Sequence, residues 1–291
     1  PFGKTGKILG GCATYIGLAA SHFKSECGLI SIIGSDFEEE HLALLKAKNL
    51  DLTGVEQLEG EKTFFWSGKY QNDLNTRTTL DTQLNVLTKF NPKVPANFKD
   101  ASVVLLGNLD PNLQLEVLDQ MDKKPDLVIM DTMNFWIESY REKLDELIGR
   151  VDVISINDEE ARQLTQKHSL VEAAKDLQAM GPKYVVIKKG EHGALLFNGN
   201  EIFCAPGLPL EEVFDPTGAG DSFIGGFAAY LLERKKITFE DMKTAVIVGS
   251  ALASFTVQEF GTSALEKMTF AQLAQRIQAF KSLTEFEIEL I

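Results

Sequence analysis

The chain has 291 residues, 44% of them hydrophobic, which suffices for one large α/β domain or two ordinary ones and argues against disorder. Asp and Glu number 42 against 29 Lys and Arg, and the formal net charge of −13 argues against nucleic acid and anionic membranes as partners. The three cysteines are odd in number and lack CxxC spacing, so we expect free thiols in a cytoplasmic protein. The composition permits a large enzyme, in which any phosphate site must be local.

The first predicted elements follow an α/β pattern and then depart from it. Residues 29–33 predict a strand and residues 37–48 a helix. From Thr63 to Thr88 the aromatic residues Phe64, Phe65 and Trp66 lead into a polar stretch rich in Thr and Asn, which indicates an antiparallel excursion. We interpret this insertion, at about residues 60–90, as a lid.

Beyond the lid, short apolar runs alternate with segments of helical period. The runs predict strands over residues 103–106, 127–130, 153–156 and 184–188. The helical patterns between them cover residues 113–121, 137–148, 158–166 and 170–180. A hairpin over 193–204 follows, and then helices over 221–235, 239–256 and 270–281. Strand, helix and strand at this spacing predict a mostly parallel sheet that helices cover on both faces.

The most informative motif is the run Asp215-Pro216-Thr217-Gly218-Ala219-Gly220-Asp221 at the start of a predicted helix. Gly218 and Gly220 allow backbone N–H groups to converge on an anion, and the helix dipole adds to the attraction. Asp221 would repel that anion, and its presence makes sense if it accepts the proton of a hydroxyl that attacks a phosphoryl group. The alternative is a glycine turn in which Asp221 only caps the helix.

Three further segments precede this run: Gly10-Gly11-Cys12-Ala13-Thr14-Tyr15, Asn157-Asp158-Glu159-Glu160 and Lys188-Lys189-Gly190-Glu191-His192-Gly193. Together with the glycine run they resemble the signatures of the PfkB, or ribokinase-like, carbohydrate kinases. The resemblance implies a single domain over residues 1–291, a Rossmann-like α/β three-layer sandwich with a mostly parallel central sheet and a small β-sheet lid. It also implies a further lid strand near residues 8–15, ATP as phosphoryl donor, Mg²⁺, and a sugar or related hydroxyl compound as acceptor.

The catalytic roles that the resemblance implies fall on the glycine run. Asp221 is expected to be the base, and the backbone amides of Gly218, Ala219 and Gly220 are expected to form an anion hole for the transferred phosphoryl group. Asp215 and Thr217 lie in the adjoining loop, whose carbonyl oxygens could bind a monovalent cation such as K⁺.

The expected nucleotide and magnesium residues come from two other segments. Asn157 and Glu160 are three residues apart at a predicted helix start, where an amide and a carboxylate can hold Mg²⁺, directly or through water. The same pair also fits an ordinary capped first turn. The residues implied at the nucleotide are Lys188, Gly190, Gly193 and Ser250. For residues 188–193, a solvated hairpin entrance is the alternative.

The acceptor is expected near the Gly-Gly pair. The resemblance places it at Gly10 and Gly11, and Tyr15 stands where many members carry an asparagine that grips sugar hydroxyls. Asn108 and Asn134 follow predicted strands, and they are further candidates because α/β sites lie at the carboxyl ends of strands. Either asparagine could instead cap the helix that follows it.

Three functional hypotheses remain open on the sequence. The leading one is an ATP-dependent kinase that phosphorylates an alcohol hydroxyl of a sugar. The close alternative is a nucleoside kinase, because Phe64 and Trp66 could stack on a base, although packing is the simpler role for these rings. The third is a regulator that binds nucleotide or sugar without turnover. An exposed lid edge would also offer a surface for homodimerisation.

Overall fold

A computed structural model describes residues 3–71, 74, 77–285 and 287. Its α-helices are α1 (Cys12–Ala20), α2 (Glu39–Ala47), α3 (Pro111–Asp119), α4 (Asn134–Ser139), α5 (Arg141–Ile148), α6 (Asp158–Thr165), α7 (Leu170–Met180), α8 (Ala219–Leu232), α9 (Phe239–Thr256), α10 (Ser263–Lys267) and α11 (Phe270–Ser282). Its strands are β1 (Cys27–Gly34), β2 (Leu50–Leu58), β3 (Phe65–Tyr70), β4 (Arg77–Gln83), β5 (Val103–Leu106), β6 (Leu127–Asp131), β7 (Val153–Asn157), β8 (Tyr184–Lys188), β9 (Ala194–Asn198) and β10 (Glu201–Ala205).

The central sheet has six strands in the order β10-β9-β8-β7-β6-β5. Strands β5 to β8 are parallel, whereas β9 pairs antiparallel with both β8 and β10. The hairpin between β9 and β10 turns at Gly199, whose φ of 58° favours glycine. The prediction of a mostly parallel central sheet is therefore confirmed.

Helices cover both faces of this sheet, because successive strand residues point to opposite sides. In β6, Val128 and Met130 join the core formed with helices α3, α5, α6 and α7. Leu127 and Ile129 join the core formed with α8 and α9. Both cores exclude water from the strands, so the parallel strands read as continuous apolar runs in the sequence.

Two smaller sheets lie apart from the central one. Strands β1 and β2 form a parallel pair, and the sequence interpretation missed β2. Strands β3 and β4 form an antiparallel pair within the predicted lid. Residues 72, 73, 75 and 76 of that predicted lid lie outside the described residues. The further lid strand expected near residues 8–15 is wrong, because residues 8–11 carry no regular structure and α1 begins at Cys12.

Helix boundaries follow local capping signals. Thr238 and Thr269 accept hydrogen bonds from the backbone N–H groups three residues later, and the capping boxes fix the starts of α9 and α11. The single helix predicted over 137–148 is instead two helices, since Tyr140 leaves the helical conformation at φ −132° and ψ 31°. Among the described residues, none of the helices combines the length and apolar character that crossing a bilayer requires.

Candidate active site

An extended cavity of about 3900 Å³ runs from β1, β2 and the lid to the carboxyl ends of β5 to β8 and the first turns of α1 and α8. Its lining contains the glycine turn before α8, the Gly-Gly pair before α1 and the lid residues Tyr70 and Arg77. Polar groups of an α/β protein gather at this end of the strands because the loops there leave backbone and side-chain groups unpaired. The cavity is therefore the candidate active site.

Asp221 lies in the first turn of α8 and lines the cavity. The Cys12 thiol, at the start of α1, lies close enough to its carboxylate to affect the pKa. Burial raises the pKa of Asp221, the charge of Asp131 raises it further, and the neighbouring Cys12 thiol acts in the opposite direction. Cys12 Sγ also accepts a hydrogen bond from the backbone N–H of Asn108, with a distance of 3.4 Å. These contacts tie the carboxylate to two neighbouring loops.

The turn before Asp221 depends on glycine at position 218. Gly218 is the N-cap of α8 and has φ 79°, a conformation that side chains with a Cβ rarely adopt. The Tyr15 ring packs directly against it, so a Cβ on Gly218 would lie 2.5 Å from three ring atoms. Tyr15 is only 2% exposed, so its ring mainly packs against the turn, although the residue also lines the cavity.

Gly218→Ala is expected to lower the free energy of unfolding by about 1–3 kcal/mol and to lower kcat, because the strained turn must move away from Tyr15. The matched control is Gly60→Ala, since Gly60 has a similar φ of 73° but has open space around its missing Cβ. Urea denaturation and steady-state kinetics measure the two effects. Equal losses in the two variants would show that the Tyr15 contact does not matter.

A buried ion pair lies beside the same turn. Lys188 Nζ, at the end of β8, is 3.1 Å from Oδ2 and 3.2 Å from Oδ1 of Asp131, at the end of β6. A Cβ placed on Gly220 would lie 3.3 Å from Lys188 Nζ, so the ammonium group borders the amides of the glycine turn. Sequence reasoning expected Lys188 near phosphate but missed Asp131, although this residue also ends an apolar strand.

Asn157 and Glu160 form the capping box of α6. Asn157 Oδ1 accepts from the Glu160 N–H, and Glu160 Oε2 accepts from the Asn157 N–H, both at 2.8 Å. Burial, followed by the charge of Asp131, raises the pKa of Glu160 to about 7, while Lys188 acts in the opposite direction. The alternative of a capped first turn is thus realised, and both side chains also line the cavity.

The expected acceptor residues separate into two groups. Gly10, Gly11 and Asn108 line the cavity, and no atom lies within 4 Å of a Cβ built on Gly11. Asn134 instead donates a hydrogen bond to Gln163 Oε1 on α6, 3.0 Å away, and is not among the residues that line the cavity. The structure therefore brings Asn108, but not Asn134, to the candidate site.

The remaining predicted residues border the cavity in different ways. Gly190, Gly193 and Ser250 line it. Gly193 also has a structural reason to be glycine, because its φ is 83° and a Cβ would lie 2.1 Å from the Ala205 carbonyl oxygen. Asp215 is 9% exposed, and its Oδ1 accepts the Thr217 N–H at 2.9 Å, which shapes the loop before the glycine turn.

The lid contacts the loop before the glycine turn through one residue pair of its β-hairpin. Tyr70 on β3 pairs with Arg77 on β4, and the hydroxyl groups of Tyr70 and Thr217 lie 3.3 Å apart. The positive charge of Arg77 partly opposes the burial that raises the pKa values of Glu160 and Asp221. Sequence reasoning missed Arg77, because nothing local shows which lid residue reaches the site.

Comparisons with known proteins agree with this architecture. The model of the pfkB family carbohydrate kinases matches residues 2–268. A cytidine kinase from Thermococcus kodakarensis is 33% identical over 235 residues, which cover 79% of this chain and 82% of the relative. A Burkholderia thailandensis nucleoside kinase in complex with inosine has a TM-score of 0.77 and 22% identity, covering 94% and 88% of the two chains. A structure from E. coli in complex with ATP and Mg²⁺ has a TM-score of 0.78 and 20% identity, covering 96% and 93%. The fold is ribokinase-like, and the chain belongs to the pfkB family of carbohydrate kinases.

Proposed function

We propose that this chain is an ATP-dependent nucleoside kinase, in which Asp221 accepts the proton of the acceptor hydroxyl as its oxygen bonds to the γ-phosphorus. The observation that carries the proposal is the juxtaposition of Asp221 with the Gly218–Gly220 turn and Lys188 in one cavity. The backbone amides and the ammonium group stabilise negative charge on the transferred phosphoryl oxygens. ADP leaves with the electrons of the broken bond between its β-phosphate oxygen and the γ-phosphorus.

The acceptor assignment departs from the sugar hypothesis that led on the sequence. It rests on the cytidine kinase relative, whose identity of 33% exceeds that of the two similar structures. A regulator without turnover remains a poorer account, because it gives no reason for a carboxylate at the mouth of an anion site. The sugar kinase differs from the proposal only in the acceptor.

Residues of the site also suit Mg²⁺ as the companion of ATP. No cluster of three or more His, Cys, Asp or Glu side chains that could hold a metal occurs within residues 3–71, 74, 77–285 and 287. Mg²⁺ commonly binds one or two carboxylates together with substrate phosphates and waters, so a complete protein cage is not required. The three carboxylates of Asp131, Glu160 and Asp221 outnumber the cations of Lys188 and Arg77, so when all three are ionised one negative charge is left for a further cation to neutralise. Glu160 and Asn157 would hold the ion, which would neutralise phosphate charge. By analogy within the family, K⁺ beside Asp215 and Thr217 would act on the neighbouring glycine loop.

A panel of nucleosides and free sugars tests the acceptor. With ATP and Mg²⁺, cytidine or another nucleoside is expected to give a 5′-monophosphate and an equivalent amount of ADP, both measured by mass spectrometry. Phosphorylation of sugars alone would overturn the nucleoside assignment and restore the sugar kinase. Binding without ADP release for every compound would favour the regulator.

A further inference from the structure

An aromatic cluster lines the cavity on the side of α4. The Phe135 and Trp136 ring centroids are 4.9 Å apart, those of Trp136 and Tyr140 are 5.2 Å apart, and both pairs meet edge to face. All three residues line the same cavity as Asp221, and Phe135 is 50% exposed. Rings grouped at a cavity wall, with one left half in water, provide apolar surface that a planar ligand can cover.

A short series of contacts joins this cluster to Asp221. The indole Nε1 of Trp136 donates to Oδ1 of Asn108 at 2.8 Å, and the backbone N–H of Asn108 contacts Cys12 Sγ at 3.4 Å. The Cys12 thiol in turn is a neighbour of the Asp221 carboxylate. Only two residues therefore separate the indole from the group that receives the acceptor proton.

The Trp136 contact also fixes which way the Asn108 amide faces. An indole N–H is only a donor, so it must meet the amide oxygen and not the NH₂ group. Among the described residues, no hydrogen-bond acceptor is assigned to Asn108 Nδ2. An exposed donor thus lies beside the aromatic cluster, where a carbonyl oxygen or ring nitrogen of a nucleobase can accept from it.

The lid residue Trp66 also lines the cavity, but it is less suited to stack on a ligand. The six-membered ring of Trp66 lies so close to Gly68 that a Cβ there would be 2.3 Å from it, and its Nε1 donates to Thr79 Oγ1 at 3.3 Å. Both partners belong to the same β3–β4 hairpin. Trp66 therefore packs within the lid, as the simpler interpretation of the sequence expected.

We propose that the base of the acceptor stacks on the Trp136 cluster and accepts a hydrogen bond from Asn108 Nδ2. The proposal rests on the proposed function as a nucleoside kinase and assigns the residues that distinguish a nucleoside from a free sugar. The sugar moiety then lies between the cluster and Asp221, with its hydroxyl at the carboxylate.

Fluorescence tests the stacking directly, because the chain has only two tryptophans. In a Trp66→Phe protein, Trp136 is the single indole, and its emission is expected to be quenched by cytidine but not by ribose. Unchanged emission at cytidine concentrations that saturate turnover would overturn the proposal. This readout measures binding without requiring catalysis.

Kinetics supply the second test. Trp136→Leu is expected to raise KM for cytidine about ten-fold or more, since stacking on one ring accounts for that much affinity, while KM for ATP stays unchanged. Trp136→Phe keeps a ring and is expected to recover much of the loss, which separates stacking from misfolding. Trp66→Leu is the matched control and is expected to leave KM for cytidine unchanged.

The outcomes separate this proposal from the proposed function. If cytidine and other nucleosides are phosphorylated but only Trp66→Leu raises their KM, the base lies under the lid and the Trp136 assignment is wrong. If the unmodified protein phosphorylates sugars alone, the nucleoside assignment fails first, and the Trp136 assignment fails with it.

Discussion

Asp221→Asn is expected to lower kcat by about 10²- to 10⁴-fold, because the side chain can no longer accept the proton of the attacking hydroxyl. The amide has nearly the same size and shape as the carboxylate, so the first turn of α8 should keep its position. KM for ATP should change little, since the glycine turn and Lys188 remain. Steady-state kinetics with a saturating acceptor measure the loss.

Asp241→Asn is the matched control for this substitution. Asp241 also lies in the first turn of a helix, α9, but it is not among the residues that line the cavity. Both substitutions remove a negative charge from a helix N-terminus, so both alter the interaction with the helix dipole. Only Asp221→Asn should reduce turnover. Comparable reductions in kcat would mean that the charge acts through helix stability, and full activity of Asp221→Asn would remove the base from the mechanism.

The pH dependence of the unmodified enzyme offers an independent check. Burial raises the pKa of Asp221, so the carboxyl group is protonated at a higher pH than an exposed aspartate. A protonated carboxyl cannot act as the base, and kcat should fall as the pH is lowered through this raised pKa. Glu160, with a pKa near 7, titrates in the neutral range, so the profile reports the coupled site.

The sequence predicts this fold well where hydrophobic period and local caps coincide. Strands over Val103–Leu106 and Tyr184–Lys188 and helices over Leu170–Met180 and Phe239–Thr256 were expected with the bounds that the structure shows. Strand β2 was missed because the apolar alternation of its sequence, LDLTGVEQL, breaks after Leu52, and its stability comes from pairing with β1. Local pattern carries no information about such a partner.

The candidate site likewise has parts that local sequence predicts and parts that only the fold brings together. The glycine run, the capping box of α6 and the Gly-Gly pair are contiguous in sequence, so their local geometry follows from residue type. Asp131 pairs with Lys188 across 57 residues and Trp136 with Asn108 across 28, while Arg77 belongs to the lid hairpin. Only the folded chain brings these residues to the candidate site. Tyr15 is the opposite case. Its position in the sequence suggested contact with the substrate, whereas in the structure its ring packs against Gly218 and has a structural role.

Asp131→Ala is expected to lower the free energy of unfolding by about 3–5 kcal/mol, because it removes the carboxylate that pairs with the buried Lys188 ammonium at 3.1 Å and leaves only the longer-range charges of Glu160 and Asp221. The two side chains are 9% and 17% exposed, so water cannot replace the lost carboxylate. A double variant, Asp131→Leu with Lys188→Met, should recover most of the stability, since neither charge is then desolvated. Its activity should remain low, because the glycine turn has lost its cation.

Urea denaturation compares these variants with Asp119→Ala, which removes the exposed partner of Arg150 and should cost about 0–1 kcal/mol. If Asp131→Ala were no more costly than Asp119→Ala, solvent or another carboxylate would have replaced Asp131 beside Lys188, and the pair would not hold the ammonium group at the proposed phosphate site.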